Sequence, residues 1–173
     1  MKIKFVAAAS LLAIASVGAQ AANTPLGAVV IGVPLPFFGL ANGSLNDTFT
    51  FSLPANGGSG YSVTNFTLLP GLYNTVFTGL MLVSSPDGLV GTGDDNLVAS
   101  SFSLLGTGAL NLTFGANTGG NYYLSVVGMT NGQQGGIYNG AISVTAVPEP
   151  ETYAMFLAGL GALGFLARRR KNV

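Results

Sequence analysis

The feature that most constrains the fold of this chain is an alternation of apolar and polar residues, repeated along its middle. Between positions 45 and 53, Leu45, Phe49, Phe51 and Leu53 share one parity, whereas Asn, Thr and Ser occupy the other. A period of two residues is typical of a strand with one buried face. Similar runs, separated by Gly, Asn and Pro, lie at residues 61–68, 76–83, 97–104, 109–114, 121–128 and 136–147, and a leading strand is expected around 29–33.

These seven or eight expected strands predict an all-β fold. No amphipathic helical pattern of useful length interrupts residues 22–147. Short strands that are separated by turn residues favour an antiparallel two-sheet sandwich or jelly roll. The chain has no Cys, so packing and strand pairing must hold the fold without disulfides. We expect residues 22–147 to form one domain of this kind.

The charges of the chain are distributed very unevenly. The middle of the chain is acidic, because residues 22–147 contain no Lys or Arg but do contain Asp47, Asp87, Asp94 and Asp95. Nucleic-acid binding depends mainly on Lys and Arg at the phosphates, so this class of function is excluded. The six basic residues of the chain are all close to its ends, at Lys2, Lys4, Arg168, Arg169, Arg170 and Lys171.

The residue types needed for most catalysis are also missing. The chain has no His and no Cys, and its middle has no Lys, so the usual nucleophile and base pairs cannot form. A glycosidase with two carboxylates is left, using Asp47 and one of the other aspartates. Three of the four aspartates share one loop, however, and no cation or imidazole is present to stabilise a transition state. We therefore predict that the protein is not an enzyme.

The N-terminal segment has the order of a secretory signal peptide. Two lysines precede an apolar run that ends in Ala19-Gln20-Ala21. Small residues at Ala19 and Ala21 fit signal peptidase, so cleavage is expected after Ala21. Residues 1–21 are thus predicted to be a signal helix that is removed, rather than a short buried helix of the fold.

The C-terminal segment has three parts in a fixed order. The spacer Val147-Pro148-Glu149-Pro150 comes first, and each proline favours an extended residue before it. An apolar helix is then expected at about residues 153–167. Such a helix is roughly 22 Å long against a hydrocarbon core of about 30 Å, which suits a temporary membrane anchor. The basic stop at residues 168–171 is expected to stay cytoplasmic and to leave the domain on the outward side.

At these residues the chain resembles the PEP-CTERM sorting signal of Gram-negative bacteria. The resemblance implies a sorting tail at residues 148–173 and a sorting motif formed by Val147, Pro148, Glu149 and Pro150. It also implies that an exosortase at the inner membrane processes an anchored precursor, which then reaches the cell surface or the extracellular space. The alternative is an ordinary membrane anchor on a proline-rich stalk.

The middle of the chain resembles the FxDxF group of PEP-CTERM proteins. Asp47 and Phe49 match this pattern, with Leu45 in place of its first Phe, and residues 120–128 and 136–140 carry further likeness. The resemblance implies an exported β-rich surface protein of bacteria that produce exopolysaccharide. We expect a structural role in the extracellular matrix, linked to exopolysaccharide or biofilm.

An alternative function is a calcium- or carbohydrate-binding module. A Gly-rich loop at residues 85–96 carries oxygen ligands suited to calcium, although their spacing is not that of an EF-hand. The same residues also suit a simple turn. Sugar stacking would depend on Tyr122 or Tyr123, because there is no Trp. Asp47, on the core side of its strand, is expected to accept backbone amides rather than to bind calcium. No cofactor is expected apart from calcium at Asp87, Asp94, Asp95 and Asn96.

Overall fold

The structure, a computed structural model, describes residues 22–67, 71–115, 118–147 and 150–170. These residues form nine strands and one helix. The strands are β1 (Asn23–Ala28), β2 (Leu35–Ala41), β3 (Ser44–Ala55), β4 (Gly57–Asn65), β5 (Thr75–Ser84), β6 (Asn96–Thr107), β7 (Ala109–Phe114), β8 (Thr118–Thr130) and β9 (Gly136–Ala146), and the helix is α1 (Pro150–Arg170).

The strands form two sheets that share one core. Five strands make the first sheet in the order β1-β3-β8-β5-β6, and four make the second in the order β2-β9-β4-β7. The predicted all-β, two-sheet architecture is therefore confirmed. The expectation of purely antiparallel pairing is wrong at one edge, because β1 pairs parallel to β3. A parallel neighbour requires a connection that crosses over, and β2 in the opposite sheet provides it.

Alternation along the strands places apolar side chains between the sheets. In β3 every second residue is buried, from Leu45 to Leu53. The ring of Tyr138, from the second sheet, meets Phe49 and Phe77 of the first sheet edge to face, with ring centroids 6.4 and 5.7 Å apart. Tyr138 is fully buried, so its hydroxyl group must find a partner inside the core.

The seven runs from residue 45 onward correspond to β3 through β9, but the leading strand expected at 29–33 is wrong. Val30 and Val33 are instead the ends of a tight turn, in which the Val33 N–H donates to the Val30 carbonyl at 3.1 Å. Gly32 has a φ of 78°, which glycine adopts without steric cost. The β-branched residues there indicated a strand, but the chain reverses, and two strands flank the turn.

The C-terminal helix α1 contains the apolar stretch that was predicted at 153–167. Its described apolar side chains are exposed, with Met155 at 75% and Leu157 at 66%. Within the described residues, no helix is long and apolar enough to span a membrane. The prediction of a helix is thus confirmed, but that of a membrane-spanning helix is not. Polar residues at both ends of α1 leave an apolar stretch of about 15 residues, whereas a span needs about 20. The predicted signal helix, residues 1–21, lies outside the described residues.

Candidate functional site

The sorting motif begins where the last strand of the second sheet ends. Ala146, the last residue of β9, pairs with Gly57 of β4. The next N–H, that of Val147, donates to the Asn56 carbonyl at 3.2 Å. Val147 is 49% exposed. The motif therefore starts at an open end of the sheet, where an enzyme can reach it.

The rest of the tail is described only in part. Pro148 and Glu149 lie outside the described residues, and Pro150 is the first residue of α1. Proline is well tolerated at the start of a helix, since its missing N–H would have no partner there. Arg168 to Arg170 form the last turn of α1, whereas Lys171 and the predicted cleavage residues Ala19 and Ala21 are outside the described part of the chain.

A second candidate site lies in the connection between β5 and β6. Asp87, Asp94 and Asp95 each offer a carboxylate oxygen, and these oxygens lie within 4.8 Å of one another. Three of the four residues that were predicted as calcium ligands are thus brought together. Asn96, the fourth, is exposed at the start of β6, and no hydrogen bond between described residues joins its side chain to the cluster.

Hydrogen bonds hold Asp95 firmly in this loop. Its Oδ2 atom accepts from the backbone N–H of Gly91 at 2.6 Å, from that of Thr92 at 3.1 Å, and from the Tyr123 hydroxyl at 3.1 Å. Burial raises the pKa of the Asp95 carboxyl, but the nearby Ser85 hydroxyl and the hydrogen bonds from Gly91, Tyr123 and Thr92 outweigh this effect and leave the pKa below its ordinary 3.8. Asp95 therefore remains ionised at any pH at which a cation would bind.

The other oxygen of Asp95 has a different environment. Within the described residues, the buried Oδ1 atom accepts no hydrogen bond. The nearby Ser85 hydroxyl has only one proton, and its shortest bond, at 2.7 Å, is to the Leu89 carbonyl. A buried carboxylate oxygen without a donor is energetically unfavourable, and a cation would satisfy it.

The two remaining aspartates take part in turn-stabilising hydrogen bonds. Asp87 accepts from the Leu89 N–H at 2.8 Å, and Asp94 accepts from the Thr92 hydroxyl at 2.7 Å. The interpretation of this loop as a turn, in which Asp bonds nearby backbone, is therefore confirmed. It does not exclude a cation, because a carboxylate has lone pairs left over after one such bond.

Asp47 is the fourth acid of the domain and lies apart from this loop. It is only 4% exposed. Its Oδ1 accepts from the Ala22 N–H at 3.0 Å, and its Oδ2 accepts from the Tyr138 hydroxyl at 2.5 Å. Burial and the Asp47 carboxylate together raise the pKa of Tyr138 far above its usual range. The expected backbone partner is present, but the role of Tyr138 was not predicted, because 91 residues separate it from Asp47.

The tyrosines that were considered for sugar stacking do not provide an exposed ring. Tyr122 is 3% exposed and Tyr123 is 9% exposed. Tyr122 shares a hydrogen bond with Thr118, and Tyr123 donates to Asp95. Both rings therefore have structural roles, and the carbohydrate alternative loses the residues on which it depended.

Fold and tail together define a class: a two-sheet β protein that ends in a short spacer and an exposed apolar helix with a basic end. Residues 146–171 match the PEP-CTERM protein-sorting motif. The chain thus carries a PEP-CTERM sorting tail, which indicates an exported protein that is targeted to an exosortase and is held transiently at the membrane. No curated protein matches the chain significantly.

Several solved structures show a weak likeness. The pre-peptidase C-terminal domain of collagenase from Bacillus anthracis is 18% identical over 74% of this chain and 99% of that chain, with a TM-score of 0.37. PliG of Aeromonas hydrophila, a periplasmic inhibitor of g-type lysozyme, is 15% identical over 73% and 100%, with a TM-score of 0.40. The Yersinia pseudotuberculosis-derived mitogen is 13% identical over 69% and 92%, with a TM-score of 0.42. None of these similarities is close enough to support an inference about activity.

Proposed function

We propose that this protein is a structural, non-enzymatic component of the cell surface or extracellular matrix, linked to exopolysaccharide or biofilm and delivered there by exosortase processing. The observation that carries the proposal is the sorting tail at residues 146–171, which follows directly on the last strand of the β domain. The FxDxF-like segment around Asp47 supports the same assignment.

The composition of the domain supports a role without catalysis. Residues 22–147 contain no Lys, Arg, His or Cys, so the groups that most enzymes use for proton transfer and nucleophilic attack are missing. Asp47 is occupied by two hydrogen bonds inside the core and lies apart from the acidic loop. The two-carboxylate arrangement that a glycosidase needs is therefore not supported.

The proposal is tested by intact mass and cell fractionation of the protein from its native cells. Wild type is compared with a variant that carries Pro148→Ala, Glu149→Ala and Pro150→Ala. We expect wild type to be released without residues 168–171 and the variant to stay in the inner membrane. A Glu151→Ala variant loses one carboxylate but keeps the motif, and it should behave like wild type. Retention of wild type, uncut, in the membrane would refute sorting.

A linked assay tests the matrix role. Biofilm mass and bound exopolysaccharide are measured in cells that lack the gene and in the same cells with wild type or the motif variant restored. Wild type should restore both quantities, whereas the motif variant should not. Full restoration by the motif variant would contradict a role at the surface.

A second candidate function is calcium binding at the loop between β5 and β6. The specific observation in its favour is the buried Oδ1 of Asp95, which has no donor among the described residues and lies in a group of three carboxylates. Carboxylates and backbone carbonyls on a Gly-rich loop suit calcium, which takes six to eight oxygen ligands. In this case the domain would use calcium to rigidify one end of the first sheet.

The calcium proposal is tested by thermal unfolding with and without millimolar calcium. Calcium should raise the melting temperature, whereas magnesium or sodium chloride of equal ionic strength should have a much smaller effect. Asp94→Asn removes one oxygen that makes a single hydrogen bond within the loop, so it should weaken the calcium response without unfolding the domain. An identical melting temperature with and without calcium would eliminate this candidate.

A further inference from the structure

Asp47 is a buried acid whose natural counter-ion is missing from the domain. Its carboxylate is 4% exposed and lies where β1, β3 and β9 meet. Burial of a carboxylate is unfavourable unless the charge is paired or well hydrogen-bonded. Residues 22–147 contain no Lys, Arg or His, so no side chain of the domain can supply a positive charge.

One of the two hydrogen-bond donors to Asp47 is a backbone nitrogen atom that signal-peptide removal would convert from an amide to an amine. The Ala22 nitrogen lies 3.0 Å from Asp47 Oδ1. The Ala-x-Ala sequence at residues 19–21 predicts that signal peptidase hydrolyses the bond before this nitrogen. Water adds across the Ala21–Ala22 peptide bond, Ala21 keeps the new carboxylate, and Ala22 keeps an amine that takes up a proton near neutral pH.

We propose that Asp47 and Tyr138 form a binding site for the α-ammonium group of the mature N-terminus, and that signal-peptide removal creates the ion pair that completes the core. The inference rests on the proposed function only in requiring export with cleavage after Ala21. It assigns to Asp47 a ligand of stated chemistry, a primary ammonium group, that belongs to the same chain.

Backbone hydrogen bonds hold Ala22 in place for this role. The Ala22 carbonyl accepts from the Thr48 N–H at 2.7 Å and from the Thr48 hydroxyl at 3.3 Å. The next residue, Asn23, begins β1 and pairs in register with Thr48. Because these bonds use atoms that remain after cleavage, the new ammonium group stays beside Asp47 instead of swinging into solvent.

The surroundings of Ala22 suit a charged amine better than a neutral amide. A cavity of about 310 Å³ opens beside Ala22 and Asp47, lined mostly by β1 and β2. It leaves room for the two further N–H groups that an ammonium group has. Asp47 is the one titratable side chain in the described lining of this cavity. Tyr138 reaches the same carboxylate from β9, so the described groups that face the amine are one anion and one neutral phenol.

Before cleavage the same position offers only a neutral amide hydrogen bond. After cleavage the bond is charge-assisted, and such bonds are shorter and stronger than neutral ones. The domain should therefore become more stable when it loses its signal peptide. In this way the domain would reach its full stability only on the outward side of the membrane, where signal peptidase acts.

The test uses the reactivity of the mature N-terminus toward an acetylating reagent. Intact mass first establishes that the exported protein begins at Ala22. The α-amine is then the sole primary amine up to residue 147, and peptide mass separates it from Lys171 where the tail is retained. Its acetylation rate is measured against pH in the folded protein and in the same protein unfolded in urea.

The direction of the pH shift decides the outcome. An ion pair raises the pKa of an amine, whereas burial without a counter-ion lowers it. We expect the α-amine of folded wild type to be acetylated at least about tenfold more slowly than that of the unfolded protein near neutral pH. The midpoint of its rate-against-pH curve should lie about one pH unit higher. Asp47→Asn should bring the midpoint back to or below that of the unfolded protein. Asp94→Asn, which removes the same charge from the exposed loop, should leave it raised.

A lowered or unchanged midpoint in folded wild type would overturn the proposal, and this comparison needs no variant to fold. A mature protein that begins at another residue would also overturn it, while loss of residues 168–171 in the same mass spectrum would leave exosortase sorting intact. If instead the start is Ala22, the midpoint is raised and the tail stays uncut, the ammonium site stands and the sorting proposal fails. The two proposals therefore fail separately.

Discussion

Replacing Tyr138 with Phe tests how strongly the core depends on the buried bond to Asp47. The substitution keeps the ring, which packs on Phe49 and Phe77, and removes only the hydroxyl that donates to the carboxylate. Hydrogen bonds to charged groups contribute about 1.5–3 kcal/mol to stability, against about 0.5–1.5 kcal/mol for neutral ones. We expect Tyr138→Phe to lower the free energy of unfolding by about 1.5–3 kcal/mol.

The matched control is Tyr61→Phe. Tyr61 is equally buried, but its hydroxyl donates to the neutral Ser59 hydroxyl at 2.9 Å. Urea unfolding of wild type and both variants at pH 7 gives the three free energies. A loss at Tyr138 that is no larger than the loss at Tyr61 would refute the argument that Asp47 is a buried charge in need of donors.

Three further predictions concern the buried tyrosines and the acidic loop. Gly39→Ala should lower the free energy of unfolding by about 1–3 kcal/mol, because the Cβ of the new alanine would lie 2.2 Å from the Tyr138 ring. Gly108→Ala is the control in the same urea assay and should have little effect, since open space surrounds Gly108. Because the pKa of Asp95 in the folded protein lies below 3.8, its ionised form stabilises the fold above that pH, and this stabilisation is lost as pH falls through the folded pKa. The stability of the Asp95→Asn variant, measured by acid unfolding, should lack this dependence on pH. Burial raises the pKa of Tyr61 and Tyr138 above 10.0, so the stability of the fold should fall as pH rises beyond 10.0. The phenolate absorbance of these two tyrosines should appear only when the protein unfolds, and phenolate absorbance from them in the folded protein would contradict this prediction.

The sequence predicted most of the strands because their alternation is local information. The runs that became β3 and β9 have their apolar parity within a few residues, and burial between the two sheets preserves that pattern. In the edge strand β6, by contrast, no residue is buried. The N-terminal strands were missed for the opposite reason. Strand β1 contains Pro25 and Gly27, residues that are unfavourable in strands, and it is held by pairing with β3 rather than by its own pattern.

The acidic cluster could be found from the sequence because all three carboxylates lie in one connection. The pairing of Asp47 with Ala22 and Tyr138 could not be found in this way, since it joins three segments that meet only in the folded sheets. The absence of Lys, Arg and His from residues 22–147 is visible in the sequence. Because no side chain of the domain can pair with Asp47, the ammonium group of the first mature residue is the cation that we propose for it.

The parallel pairing of β1 with β3 also decides how the domain is tethered. Ala22 is bound at Thr48, near the start of β3, whereas Val147 is bound at Asn56, just beyond its end. With about 3.4 Å per residue along a strand, the two attachment points are roughly 27 Å apart, at opposite ends of the sandwich. A precursor anchored by both the expected signal peptide and the sorting tail would therefore be held at two opposite ends of the domain, and cleavage after Ala21 would leave it held at one end only.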